Sequence, residues 1–287
     1  MLHIVEHVLM HTLEDTIKLL PFLFLTYLCM EYLECRAGEQ TVTMLSHTGK
    51  MGPVVGAVLG VVPQCGFSAA AANLYAGGII TVGTMVAVFL STSDEMLPIL
   101  ISGRVEMKEI LFIVGAKVLV GLVAGFLVDY VIRKLNNGKQ KGLHIREICE
   151  REHCHCKQGG ILKPTFIHCA HTTIFVFGVL FGIDLIAELI GMEQLVEAVA
   201  SFPILSIFLV GLLGLIPNCA ISVAITTFYL EGVLSIGSMF AGLLACAGVG
   251  IVILFRMNRS LKKNVIIVCG IYTISVLSGI LMEFICQ

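Results

Sequence analysis

Two cysteines in this chain each follow a proline and a side-chain amide, as Pro63-Gln64-Cys65 and Pro217-Asn218-Cys219. When Gly60 is laid on Gly214, the stretch Gly60 to Glu95 falls without a gap on Gly214 to Val249. The identical pairs in that register are Gly60/Gly214, Pro63/Pro217, Cys65/Cys219, Ser68/Ser222, Ala70/Ala224, Tyr75/Tyr229, Gly78/Gly232, Gly83/Gly237, Met85/Met239, Ala87/Ala241 and Leu90/Leu244. Gln64/Asn218 and Thr81/Ser235 are conservative pairs, so the match is an internal duplication. Thiolates favour soft or borderline metals, and amide and carbonyl oxygens favour harder ones such as Mn²⁺. A proline inside a helix removes a backbone hydrogen bond and crowds the preceding turn. Broken helices of this kind offer half-helix termini and free carbonyls to a ligand. If the two breaks face one another, Gln64, Cys65, Asn218 and Cys219 form a metal or substrate site. The plainer alternative is two small cysteines in tight helix packing.

A second chemical feature is Ser91-Thr92-Ser93-Asp94-Glu95, which interrupts an apolar run. An acid at the centre of a membrane helix costs about 2.5–3.5 kcal/mol on insertion scales. The matching residues of the second copy are Ala245, Cys246, Ala247, Gly248 and Val249, so the fold does not require the acids. Asp94 and Glu95 therefore read as cation ligands, proton carriers or both, with Ser91, Thr92 and Ser93 beside them; the alternative is a helix end among lipid headgroups. Lys117 lies ~12 Å into its own apolar segment at 1.5 Å per residue, and Asp94 or Glu95 is its expected charge partner. Asp129, Asp184 and Glu188 fall nearer segment ends and read as interfacial. A polar loop carries Cys149, His153, Cys154, His155 and Cys156, followed by His168, Cys169 and His171. Thiols and imidazoles at this density are a metal-binding composition. Adjacent ligands cannot all reach one ion, so the loop reads as a loading or sensing site, or as solvent-facing residues with incidental affinity.

The elements that must carry these residues are apolar. Hydrophobic residues make up 57% of the 287 residues and charged ones 13%, with a mean hydropathy of +0.96. Soluble domains carry roughly a quarter charged residues, so the chain is an all-α polytopic membrane protein, and nucleic acid is excluded as a partner. Its start lacks the basic segment and small-residue cleavage site of a signal peptide, and the cysteines, mostly in apolar segments, are expected as reduced thiols. Long apolar segments run from Ile17 to Leu33, Gly52 to Tyr75, Gly78 to Ile101 and Ile110 to Ile132, and again from Thr165 to Ile190, Pro203 to Phe228, Val233 to Phe255 and Val265 to Ile285. Residues 1–133 form the first membrane repeat, 134–164 a His/Cys-rich loop and 165–287 the second repeat. The loop is rich in Lys and Arg and is placed in the cytoplasm. The connector near Gly191 has Glu188, Glu193 and Glu197 and no basic residue, whereas the one from Arg256 to Lys263 is basic. That change of side requires an odd number of crossings in between. It predicts a re-entrant hairpin at each Pro-x-Cys break, two inverted repeats of about four helical segments each, and 6–10 crossings in all. Such halves are the architecture of secondary transporters, with the substrate bound at the breaks.

Several runs resemble the ten-transmembrane heavy-metal exporters, an arsenic-permease-like group also described as manganese transporters. They are Glu14-Asp15-Thr16 with Leu19-Leu20-Pro21-Phe22, Pro63-Gln64-Cys65-Gly66-Phe67-Ser68, Leu90 to Glu95, the Glu-His-Cys-His-Cys loop and Pro217-Asn218-Cys219. The resemblance covers nearly the whole chain and implies a multi-pass exporter of a heavy or transition metal in the plasma or inner membrane. It also raises Glu14 and Asp15 as coupling residues, although their own position reads as the wet end of the first helix. The expectation is a proton-coupled exporter of Mn²⁺ or a similar divalent cation, with an arsenical permease as the alternative. The ion is substrate, no cofactor is expected, the lipid bilayer is the other partner, and a homo-oligomer is left open. An intramembrane enzyme is disfavoured by the lack of His-Glu-x-x-His, Gly-x-Ser-x-Gly or nucleotide-binding motifs. A metal sensor is disfavoured because only the loop could carry an output.

Overall fold

The computed structural model describes residues 2–36, 51–62, 64–93, 95–135, 162–190, 203–258 and 260–286. Pro63, Asp94, the loop ligands Cys149, His153, Cys154, His155 and Cys156, and the acidic connector near Gly191 lie outside the described residues.

Among the described residues all regular structure is helical. In the first half the helices are α1 (Leu2–Arg36), α2 (Gly52–Gly60), α3 (Gly66–Ala76), α4 (Val82–Ser91), α5 (Met96–Ser102) and α6 (Met107–Leu135). In the second they are α7 (Leu162–Ile190), α8 (Pro203–Gly214), α9 (Cys219–Leu230), α10 (Ile236–Ala245), α11 (Val249–Met257) and α12 (Leu261–Cys286). Laid in the register of the sequence repeat, α4 and α10 start and stop on matching residues, and α6 and α12 start on matching residues. Their caps match as well. Thr81 accepts a hydrogen bond from the amide of Thr84, and Ser235 accepts one from that of Ser238. Five stretches among the described residues are long and apolar enough to cross a membrane: Val82–Ser102, Met107–Leu135, Thr165–Ile186, Ile236–Met257 and Leu261–Cys286.

The segments Gly78 to Ile101 and Val233 to Phe255, expected as single helices, are each broken, between α4 and α5 and between α10 and α11. The causes differ. In the first copy Ser91 and Thr92 donate their hydroxyls to Ala87 and Val88 carbonyls at 2.7 Å, which ends α4. In the second copy Gly248 takes φ 52°, a left-handed conformation that a side chain would strain. The first helix also differs from expectation. It is one helix from Leu2, and Glu14 and Asp15 lie more than two turns inside it.

In a bilayer, helix association depends on close packing rather than on apolar burial, and small residues allow backbones to meet. Gly52, Gly56 and Gly60 recur every fourth residue on α2, and a Cβ on Gly56 or Gly60 would lie 2.7 Å from the Thr84 or Val88 carbonyl oxygen of α4. The crossings of α4 with α6 and of α10 with α12 match one another: a Cβ on Gly125 would lie 2.7 Å from Gly83 O, and one on Gly279 would lie 2.6 Å from Gly237 O. Beside each crossing a carboxylate accepts a hydrogen bond from a free amide in the first turn of the neighbouring helix, Asp129 from Gly83 and Glu283 from Gly237, both at 2.8 Å. Asp129 is therefore a buried structural cap. Across the halves α1 packs on α7, α3 on α11 and α5 on α9.

These crossings predict a contrast in thermal unfolding of the detergent-solubilised chain. Gly125→Val and Gly279→Val should each lower stability by about 1–3 kcal/mol, the usual cost of overpacking. Gly115→Ala, where a Cβ would meet nothing within 4 Å, should leave the melting temperature unchanged.

Candidate functional site

The two Pro-x-Cys breaks end at the same place in space. Each is folded by the same local bonds: the Gln64 amide donates to Val62 O and the Asn218 amide to Ile216 O, both at 2.8 Å. The Ser68 and Ser222 hydroxyls close on the Cys65 and Cys219 carbonyls, also at 2.8 Å. Asn218 further caps α9, accepting from the Ala220 amide at 2.6 Å. These turns bring Cys65 Sγ to 3.5 Å from Cys219 Sγ. A disulfide needs about 2.05 Å, so the two sulfurs form a close, unbonded pair.

The pair opens onto a cavity of about 210 Å³ lined by Asp15, Lys18, Leu19, Gln64, Cys65, Gly66, Glu95, Leu180, Asp184, Asn218, Cys219 and Val249. The structure thus brings Gln64, Cys65, Asn218, Cys219, Glu95 and Asp15 together on one wall. Gln64/Asn218, Cys65/Cys219 and Glu95/Val249 are matched pairs of the repeat, so Glu95 is an acid that the second copy replaces with valine. The mouth carries the ammonium of Lys18, 3.1 Å from Glu14 and 3.7 Å from Asp15. Glu14 itself points away from the cavity and is mostly exposed. The amino ends of α3 and α9 both begin at the sulfurs and direct partial positive charge there. Gly66 permits this arrangement, since a Cβ at that position would enter the Phe22 ring of α1.

Asp184, read from sequence as interfacial, belongs to this wall. One of its oxygens accepts from Thr12 Oγ1 at 2.6 Å and the other from Asn218 Nδ2 at 2.8 Å. It orients the Asn218 amide and pairs α7 with α1. The available signal was the likeness of Asp15-Thr-Ile with Asp184-Leu-Ile, which follows a different offset from the main repeat.

Other expected residues are placed elsewhere. Ser91, Thr92 and Ser93 are buried at the end of α4, and their hydroxyls donate to backbone carbonyls instead of lining the cavity. The Lys117 ammonium, 1% exposed, donates to Thr92 O at 2.6 Å and Leu243 O at 2.9 Å. His168, Cys169 and His171 lie on α7 and not in a polar loop. His168 is buried, stacked on Tyr27 with ring centroids 5.6 Å apart, and Cys169 is buried as well, while His171 is exposed. Among the described residues no group of three or more His, Cys, Asp or Glu is arranged to hold a metal ion by carboxylate, imidazole and thiol alone. Gln64 and Asn218 supply the amide donors at the cavity.

A family model described as "Putative, 10TM heavy-metal exporter" matches residues 5–211. No curated protein matches the chain, and no solved structure does. The matched region holds α1, the first break with Cys65, the run from Ser91 to Glu95, the His/Cys-rich loop and Asp184, and ends before Cys219. With its long apolar helices, this makes the protein a multi-pass membrane protein. The chain belongs to this family of ten-transmembrane heavy-metal exporters.

Proposed function

We propose that the protein is a secondary-active exporter that binds a thiophilic metal ion between its two Pro-x-Cys breaks. The observation that carries this reading is the 3.5 Å separation of Cys65 Sγ and Cys219 Sγ in a cavity walled by carboxylates. Two Zn–S bonds of about 2.3 Å at a tetrahedral angle hold their sulfurs about 3.8 Å apart, so a small rotation of either side chain admits an ion. Gln64 and Asn218 supply amide oxygens, and Asp15, Asp184 and Glu95 supply anionic charge against one cation among the described lining residues, Lys18. Mn²⁺ would bind through the oxygens, while Zn²⁺ and Cd²⁺ would also use the sulfurs.

Glu95, Asp94 and Asp184 are the proton-exchanging acids of this scheme: a carboxylate freed by departure of the ion takes up a proton, which is released when the next ion arrives. The two halves are inverted in the membrane, with the loop 134–164 in the cytoplasm. Matched packing across the halves, α3 on α11 and α5 on α9, supports a two-fold relation between them, and the inversion itself rests on the placement of the basic and acidic connectors. The sulfur pair also favours one alternative, an arsenical permease. Trivalent arsenic bonds two thiolates without needing the carboxylates as countercharge, so the acids would then serve protons alone.

Two measurements follow. In the purified protein, phenylarsine oxide should protect Cys65 and Cys219 together from maleimide, read by mass mapping of each peptide. In Cys65→Ser or Cys219→Ser the remaining thiol should label freely; equal labelling with and without the arsenical would separate the two sulfurs. In cells grown on Mn, Zn, Cu, Cd and arsenic, wild type should deplete one element selectively, as measured by elemental analysis. Asp94→Asn and Asp184→Asn should cut that depletion about 10–100-fold, the range for lost ligand support, with the protein still in the membrane. An element raised by wild type would make it an importer.

A further inference from the structure

The ammonium of Lys117 is buried in the helical bundle, and two of the groups it bonds there are backbone carbonyls. Each of those carbonyls is free because a helix is broken beside it. Past α4, Met96 N turns back to Ser93 O at 3.0 Å, which leaves Thr92 O without the amide a continuous helix would supply. Past α10, Ala247 N bonds Ala245 O at 2.9 Å, which leaves Leu243 O equally unclaimed. The Lys117 ammonium takes both, at 2.6 and 2.9 Å. Both half-helices end here, so their negative poles converge on the same point. Carbonyls of unwound backbone and the carboxyl ends of half-helices are the groups with which membrane transporters coordinate small cations. In the repeat register Lys117 falls on Ile271, so the second half brings no lysine and one ammonium serves both breaks.

We propose that Lys117 is a tethered cation: its ammonium fills a monovalent cation site formed by Thr92 O and Leu243 O at the two helix breaks. Removing the side chain opens that site to a free cation. The site is separate from the sulfur-lined cavity, whose wall does not include Lys117, and the inference does not depend on which metal the protein carries. It gives the fold a built-in countercharge where a related design could bind a sodium ion.

The test is thermal unfolding of the purified full-length chain in detergent, in sodium, potassium, methylammonium and choline chlorides at matched ionic strength. Lys117→Ala should melt about 5 °C lower than wild type in choline, which is too large for the site. It should recover most of that loss in at least one of the three smaller cations. Wild type should melt alike in all four. Lys117→Met keeps the bulk without the charge, blocks the site and should stay low in every salt. The proposal is overturned if Lys117→Ala melts alike in all four salts, if wild type shifts with salt as much as the variant does, or if Lys117→Met melts like wild type. Failure to recover folded Lys117→Ala in any of the salts also overturns it, because the small cations should replace the ammonium.

Discussion

A backbone polar group in the hydrocarbon interior must find a partner within the protein, since an unpaired one costs several kcal/mol. Among the described residues the helices break at four places: between α2 and α3, α4 and α5, α8 and α9, and α10 and α11. Each break is closed by a small, specific set of groups. Ser68 and Ser222 close the cysteine turns, Ser91 and Thr92 turn their hydroxyls back on α4, and Lys117 spans the ends of α4 and α10. The polar residues of the interior divide between those that repair backbone and those that face the cavity. Ser91, Thr92, Ser93 and Lys117 belong to the first group; Gln64, Cys65, Glu95, Asn218 and Cys219 belong to the second.

That division rests on very close helix contacts. Glycines at 56, 60, 125 and 279 put neighbouring backbones within reach of one another, and the Asp129 and Glu283 caps fix the helix starts beside two of these crossings. The same crossings hold α4 and α10 still, and α4 and α10 carry the carbonyls that Lys117 bridges. The cavity is built one layer away, where α1, α3, α7 and α9 meet. An error in the glycine crossings would therefore reach both sites through the same two helices.

Much of this was legible in the residues, for a physical reason. A duplicated sequence folds twice into the same turn, so the repeat that pairs Cys65 with Cys219 also predicts that two like turns exist, and pseudo-symmetry then sets them face to face. The breaks after α4 and α10 were harder to see. Apolar periodicity does not register a single Gly248 at positive φ, and a Ser-Thr pair reads equally well as ligand or as helix terminator. Asp184 was missed because α1 and α7 follow a different offset, which placed it near a segment end when it lies opposite Asp15. The two carbonyls that Lys117 bonds were not legible, since sequence shows side chains and not carbonyls released by a break elsewhere in the chain.

The symmetry of the scaffold and the asymmetry of its chemistry together constrain the transport reading. The sulfurs and amides come in matched pairs and would hold an ion equally well whichever half moves. Donors of that kind give affinity without direction. Glu95 and Lys117 have Val249 and Ile271 as their counterparts, so whatever distinguishes one half of the cycle from the other must be sought in residues present once. Glu95 lies on the cavity wall and can exchange charge with the cargo, whereas Lys117 lies off it and holds the α4 and α10 ends together. The acid on the cavity wall thus stands at the start of α5, while the cation, Lys117 of α6, holds the end of α4 on the other side of the same break. In the proposed exporter, a proton taken by Glu95 would change the charge at one end of that break while the charge at the other stays fixed.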